Sequence, residues 1–302
     1  MQTWEVEMFF TIMTPSFNRA HTLHRVYGSL CEQEFKDFEW IVIDDGSTDN
    51  TEKLVEKYIK EGKIEKIHYI KKKNQGKVIA INDALKLSNG DWFIVFDSDD
   101  WCTDDALSQI YNEINELAKN NILHEYSGIS CLKAYNSGEV VGEDYSRMHK
   151  YGESYIDRFN KRISGDKWEI IKTDIHRSQI YDIEENEKYM APSYAWLKIG
   201  KTHKTVFLNK VLSIIEYQKD GITRNNIKHR AGSPLSTARY YSYAESISSS
   251  KFMRYRCQIN KKRFYFHAKK NETPTTPTTI IAYLLYAADL RRIASIKKRF
   301  QD

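Results

Sequence analysis

The chain has 302 residues, 41% of them apolar and 29% charged, which is enough to bury a full core in one large or two small domains. Its net charge of +5 belongs to the tail: residues 251–302 carry 13 Lys and Arg against 3 Asp and Glu, and the first 250 residues are net acidic. No apolar run reaches the roughly 18 residues of a membrane span, no signal peptide is evident before residue 8, and Cys31, Cys102, Cys131 and Cys257 lack the CxxC spacing of a zinc or disulfide framework.

Residues 9–14 are apolar enough for a buried strand, stopped by Pro15. Leu23, Val26, Tyr27 and Leu30 then recur at helical spacing. Residues 38–43 read as a second strand ending in Asp44 and Asp45, with Ser47 or Asn50 expected to cap the helix that carries Leu54, Val55, Tyr58 and Ile59. A third strand over 64–70 and a third helix over 76–87, closed by Asn89-Gly90, lead to a fourth strand, 93–96. That strand empties into Asp97, Asp99 and Asp100. Strand and helix alternate at about 30 residues per unit, which predicts an α/β fold on a parallel, doubly wound sheet.

In such a sheet ligands bind outside the carboxyl ends of the strands. This places Thr14, Phe17, Asp44, Asp45, Asn74, Gly76, Lys77, Asp97, Asp99 and Asp100 along one edge. Asp97 and Asp99 are two apart and point the same way while the chain stays extended. Two close carboxylates need a cation, and an oxygen-only pair suits Mg²⁺ or Mn²⁺ shared with substrate phosphates. Lys77, opening a helix, joins a point charge to free backbone N–H groups, as a diphosphate requires. Each feature alone also reads as a helix cap, a surface lysine or a solvated acidic turn; the convergence carries the functional reading.

Four motifs in order, Thr14-Pro15-Ser16-Phe17-Asn18-Arg19, Asp44-Asp45-Gly46-Ser47, Asn74-Gln75-Gly76-Lys77 and Asp97-Ser98-Asp99-Asp100, resemble an inverting family 2 glycosyltransferase of the GT-A fold. The resemblance spans about residues 9–105. It implies transfer of a sugar from a nucleotide-sugar, usually UDP-linked, with Mn²⁺ or Mg²⁺ on the DxD carboxylates. Carried over by motif, the nucleotide-sugar would meet Thr14, Pro15, Phe17, Arg19, Asp44, Asp45, Asn74, Gly76, Lys77, Asp97, Ser98 and Asp99. Asp45 would take the base and Asp97 or Asp99 the ribose, with Asp99 and Asp100 on the metal. The family's general base, often in a Glu-Asp pair, maps to the stretch holding Glu185 and Glu187, although Lys188 follows Glu187 and Ser193 stands where an acid is expected.

Residues 1–232 are thus expected to form a GT-A domain, with 9–105 as nucleotide-sugar half and 106–232 as acceptor half; 233–302 form a basic, aromatic-rich helical region. In the acceptor half, 104–119 read as a helix, 126–134 as a strand, and 205–208 with 211–217 as a hairpin turning at Asn209-Lys210. A final helix from near Thr279 sets Ile280, Ile281, Leu284, Leu285 and Leu290 beside Arg291, Arg292, Lys297, Lys298 and Arg299. That pattern fits peripheral contact with an anionic membrane at the cytoplasmic face, or else a helix docked on the domain. No nucleic-acid motif is present. The expected acceptor is a growing surface glycan, free or lipid-linked. The missing Glu-Asp pair admits one alternative, an inactive scaffold of a polysaccharide assembly complex. A sugar-nucleotide pyrophosphorylase is disfavoured because no glycine follows the first strand.

Overall fold

Apolar strands separated by amphipathic helices leave the first half of the chain one economical solution, a sheet covered on its faces by helices. The computed structural model describes residues 8–218, 221–269 and 276–299, with side chains to 295 in the last stretch. The chain divides into two units, residues 1–180 with 198–217, and residues 181–197 with 218–302.

The first unit opens with β1 (Met8–Ser16), α1 (Leu23–Cys31), β2 (Phe38–Asp44), α2 (Thr51–Glu61), β3 (Lys66–Lys71), α3 (Lys77–Leu87) and β4 (Gly90–Val95). It continues with β5 (Trp101–Cys102), α4 (Ala106–Lys119), β6 (Tyr126–Tyr135), α5 (Tyr155–Lys161), β7 (Lys167–Lys172) and α6 (Thr173–Arg177), and closes on β8 (Lys204–Ile215). The strands lie in the order β3-β2-β1-β4-β7-β6-β8-β5. The first four are parallel. The chain runs outward from β1 to β3 and returns to β4 on the other side of β1, so the topological switch point lies between β1 and β4. Beyond it β7 is antiparallel to both β4 and β6, and β8 runs parallel to β6. The C-terminal ends of β1, β2, β4, β6 and β8 and the N-terminal end of β7 therefore share one edge.

The core is most of the apolar set anticipated from the strands and helix stripes, although Ile59, grouped in the sequence with Leu54, Val55 and Tyr58, lies exposed. Phe10, Ile12, Trp40, Val42 and Ile94 from the sheet pack with Leu23, Val26, Leu30 and Val55 from the helices, all fully buried. Tyr27 and Tyr58 stack 3.7 Å apart beneath Trp40. Each large apolar side chain so buried contributes about 1.5–3 kcal/mol.

Two local expectations are corrected. Gly90 does not end a helix: α3 stops at Leu87, and Gly90 starts β4, where a β-carbon would overlap the Thr11 backbone nitrogen. Asn209-Lys210 is not a hairpin turn. Residues 204–215 form one strand pairing parallel with β6, and Asn209 and Lys210 bulge outward while Cys131 faces Leu208 and Leu132 faces Val211. The Asn209 carboxamide oxygen accepts from the Tyr145 backbone N–H at 2.9 Å, which holds the bulge in place.

His176, on α6, is fully buried, edge-on to Phe93. Burial alone pushes its pKa down to about 3. The unfolded chain protonates this imidazole near 6.5 and the folded one does not. Stability from this group is thus present above about pH 6.5 and is lost as pH falls toward 3, at about 1.4 kcal/mol per pH unit. Urea titrations from pH 7 to 4 should show a shallower acid loss for His176→Leu than for wild type; parallel curves would remove His176 from the account.

The second unit contains residues 181–197, then α8 (Asn226–Gly232), α9 (Pro234–Ile247), α10 (Lys251–His267) and α11 (Pro277–Arg299); α7 (Ser193–Ile199) runs from this unit into the first. The Arg230 guanidinium lies 5.5–5.7 Å from the ring centres of Tyr189, Tyr240 and Tyr241, and its Nε donates to Asn226 Oδ1. This is a cation enclosed by aromatic faces in the packing of the unit. Asp289 of α11 is buried and accepts from the Arg263 guanidinium and from His267, both on α10.

Candidate functional site

The parallel register delivers the ends of β1 and β2 side by side, Ser16 opposite Asp44. The Asp45 N–H extends that ladder by donating to the Ser16 carbonyl at 2.8 Å. The loop after β1 is then tied to the loop after β2: Asn18 donates its N–H to Ser47 Oγ, and its own Oδ1 accepts from the Thr48 N–H, both at 2.8 Å. Phe17 stands at the rim of this edge, 45% exposed, with Pro15 and Arg19 half-buried beside it. Thr14 is turned the other way. It is fully buried, and its hydroxyl accepts from the Trp40 indole N–H at 2.9 Å, so it supports β1 from within.

The two acids after β2 have different work. Asp44 is fully buried, with one oxygen on the Ser47 N–H at 2.7 Å and the other on the Tyr69 hydroxyl at 2.5 Å. It shapes the turn. Asp45 crosses to the next loop, its two oxygens accepting from the Gln75 and Gly76 N–H groups at 2.8 and 2.7 Å. Gly76, at φ +97°, is the N-cap of α3, so Asp45 fixes where that helix begins. Asn74 lies half-buried in the same loop. The next residue, Lys77, reaches Asp97 Oδ1 at 2.5 Å.

Beyond β4 the exposure alternates, with Asp97 and Asp99 partly exposed and Ser98 and Asp100 buried. Burial alone would raise Asp97, but the Lys77 and Lys133 charges and the Lys77 hydrogen bond outweigh it and hold Asp97 below the usual carboxylate range. Burial, then the charge of Asp97, pushes Asp99 up, with Arg19 and Lys77 pulling against them. Asp100 faces inward, where Lys133 Nζ lies 2.8 Å away, each side chain only about one-twentieth exposed. Lys133 also approaches Asp166, at 3.3 Å.

Among the described residues no cluster of three His, Cys, Asp or Glu forms an all-protein metal cage. Asp97 and Asp99 fit a cation of the Mg²⁺ class nevertheless. Such an ion takes one or two carboxylates and completes its shell with water and phosphate oxygens, and it would relieve the like-charge pressure on Asp99. Asp100, expected among the ligands, is engaged by Lys133 instead.

Of the residues singled out from the sequence, Pro15, Phe17, Arg19, Asp45, Asn74, Gly76, Lys77, Asp97, Ser98 and Asp99 come together at this edge; Thr14, Asp44 and Asp100 support it from inside. Glu185 and Glu187 lie in the second unit. Glu185 is exposed. Glu187 accepts from the Leu235 and Ser236 N–H groups at 2.8 and 2.7 Å, satisfying the open first turn of α9 and countering its dipole. Sequence reasoning passed over Lys133, whose signal was a lone cation in an otherwise uncharged strand, and gave Asp166, in a stretch resembling the acceptor-binding half, no role of its own.

The family model described as glycosyl transferase family 2 matches residues 11–174. The poly(ribitol-phosphate) beta-N-acetylglucosaminyltransferase TarP of Staphylococcus aureus is 33% identical over 163 residues, which cover 51% of this chain and 49% of that one. The GalNAc(5)-diNAcBac-PP-undecaprenol beta-1,3-glucosyltransferase of Campylobacter jejuni is 25% identical over 217 residues, 70% of this chain and 66% of that protein. The crystal structure of residues 1–349 of Staphylococcus aureus TarS with UDP-GlcNAc superposes with a TM-score of 0.63 at 20% identity, covering 91% of this chain and 79% of that one. The chain spans between 20% and 66% of the length of the first curated relatives it matches. With the family model covering more than half of the chain, on a GT-A fold, the protein belongs to glycosyl transferase family 2.

Proposed function

We propose that the chain transfers a hexose or N-acetylhexosamine from a UDP-sugar to a hydroxyl of a bacterial surface glycan, free or lipid-linked, with Mn²⁺ or Mg²⁺ at Asp97 and Asp99. The observation that carries this reading is the convergence of Asp97, Asp99, Lys77 and the N-terminus of α3 at the β1/β4 switch point. The activities named for TarP and the Campylobacter jejuni enzyme support the acceptor class, and the UDP-GlcNAc bound to TarS supports the donor. Lys77 and the α3 N-terminus hold the donor diphosphate, and Lys77 offsets the charge that grows on it as the glycosidic bond breaks. Asp97 and Asp99 would hold the divalent cation, which would supply Lewis-acid stabilisation to the same leaving group. Asp45 keeps the loop before α3 in register with both.

A thermal-shift screen with UDP-, GDP- and dTDP-sugars, with and without Mn²⁺, tests the donor class. A ligand at a hundredfold excess over Kd stabilises the native state by about 2.7 kcal/mol. UDP-sugars should raise the melting temperature and release UDP on incubation; no response to any nucleotide would sink the reading. Asp45→Ala should cost UDP about 1.5–3 kcal/mol of binding. Because Asp45 grips the Gln75 and Gly76 amides, pyrophosphate should weaken as well; a loss confined to uridine ligands would show that Asp45 acts on the base alone.

We infer a membrane contact from α10 and α11. No helix among the described residues is long and apolar enough to cross a bilayer. Yet α11 docks by one side only, through Ala282 and Asp289, and leaves Ile280, Ile281, Tyr283, Leu284, Leu285 and Leu290 exposed, with Phe252 and Tyr255 exposed on α10. Arg291 and Arg292 are exposed on the same helix; the side chains of Lys297, Lys298 and Arg299 lie outside the described residues. Apolar area and cations together suit an anionic interface, each cation adding about 1 kcal/mol before screening. The protein should co-sediment with anionic vesicles and release as salt rises. Ile281→Glu with Leu284→Glu should abolish binding without moving the melting temperature, whereas equal binding of this variant would end the idea.

A further inference from the structure

We infer that Asp166 is the carboxylate that takes the proton from the attacking hydroxyl. The inference rests on the transferase reading above and supplies the general base that reading lacks. The N-terminal end of β7 and the C-terminal ends of β6 and β8 meet the C-terminal end of β4, which puts Asp166, Lys133, Tyr135 and Tyr217 on the edge that carries Asp97 and Asp99.

Asp166 is held firmly yet open to solvent. Gly142 and Gly165, both at positive φ, cross so closely that a β-carbon on Gly165 would overlap the Val141 carbonyl oxygen. The Arg158 guanidinium donates to the Gly165 carbonyl at 2.9 Å, and Lys167 Nζ donates to the Val141 and Ser164 carbonyls at 2.9 and 3.2 Å. Glu143 accepts from the Ser164 N–H at 3.0 Å. Out of this fixed backbone the Asp166 carboxyl emerges 48% exposed, touching the buried Lys133 ammonium at 3.3 Å. The same ammonium, 2.8 Å from Asp100, separates Asp166 from the acidic turn that holds Asp97 and Asp99. Tyr135 and Tyr217 pack edge to face at 5.8 Å, and after burial the charge of Asp166 is the largest influence raising the Tyr217 phenol. A rigid carboxylate near Tyr217, itself packed on Tyr135, is what a sugar hydroxyl needs: an aromatic surface to rest on and an acceptor for its proton.

In the step itself the hydroxyl O–H gives its proton to Asp166, the oxygen forms its bond to the anomeric carbon, and the sugar–diphosphate C–O bond breaks with its electron pair leaving on UDP. Asp166 later returns the proton to solvent.

Turnover of UDP-GlcNAc and UDP-glucose, read as UDP release with water as acceptor, tests this beside UDP binding and melting temperature. Asp166→Asn should lower kcat by about 10² to 10⁴-fold, with UDP affinity, donor KM and melting temperature unchanged, and Asp166→Glu should restore part of the rate. An equal loss of UDP affinity overturns the assignment, because Asp166 would then belong to the donor site. Wild type that turns over while Asp166→Asn stays within a few-fold of it overturns this assignment alone. Wild type that releases no UDP from either sugar overturns the transferase reading as well.

Discussion

Asp99→Asn should remove turnover, by roughly three orders of magnitude or more, and leave the melting temperature unchanged or slightly raised. Asp99 sits partly exposed beside Asp97, and burial and that neighbour both work against its charge in the folded state. Neutralising it therefore removes a repulsion and costs the fold nothing. On the proposed reading it would also strip the Asp97–Asp99 pair of the charge that would balance a cation and, through it, the leaving diphosphate, a transition-state interaction. The measurement is UDP release together with the Mn²⁺-dependent rise in melting temperature with UDP. Undiminished turnover of Asp99→Asn in the presence of EDTA would end the metal assignment.

Asp100→Ala, one residue along, should do something different. Its carboxylate is buried against Lys133, and removing it leaves the ammonium in the core with Asp166 as its remaining carboxylate at 3.3 Å. Breaking a buried pair from one side costs about 3–5 kcal/mol, and the surviving contact puts the expected loss at about 3. A urea midpoint should fall accordingly at pH 7, with activity lost in proportion to unfolding and any folded fraction keeping UDP affinity. A variant as stable as wild type but devoid of Mn²⁺-dependent binding would return Asp100 to the metal.

The parallel half of the sheet was legible because its signals are local. An apolar run ending in acids, as at β2 and β4, marks a buried strand and its carboxyl edge, and four strands alternating with helices leave little choice of topology. What the sequence hid depended on long-range geometry. Nothing in Asn209-Lys210 distinguishes a two-residue turn from a bulge; the Tyr145 amide 64 positions away decides it. Asp44 and Asp45 look alike in sequence, and only the approach of Tyr69 and of the loop before α3 separates turn-maker from loop-holder. The alternation of Asp97 and Asp99 followed from strand period, yet the partner waiting beneath Asp100 came from a strand 33 residues on. Glu187 read as a candidate general base because its role as a cap depends on α9, which begins 47 residues later.

The Lys133–Asp100 pair also bears on how such a chain can be recombined. Residues 9–105 read as a self-contained nucleotide-binding half, and a graft of that half onto a foreign acceptor half would be a natural way to exchange specificities. The cation that neutralises its innermost acid, however, is supplied from β6, on the far side of any such junction. A chimera joined near residue 105 would fold around an unmatched buried carboxylate unless the incoming strand brought a lysine or arginine to the same place. The viable crossover point therefore lies beyond residue 133, inside what the sequence presents as the other half.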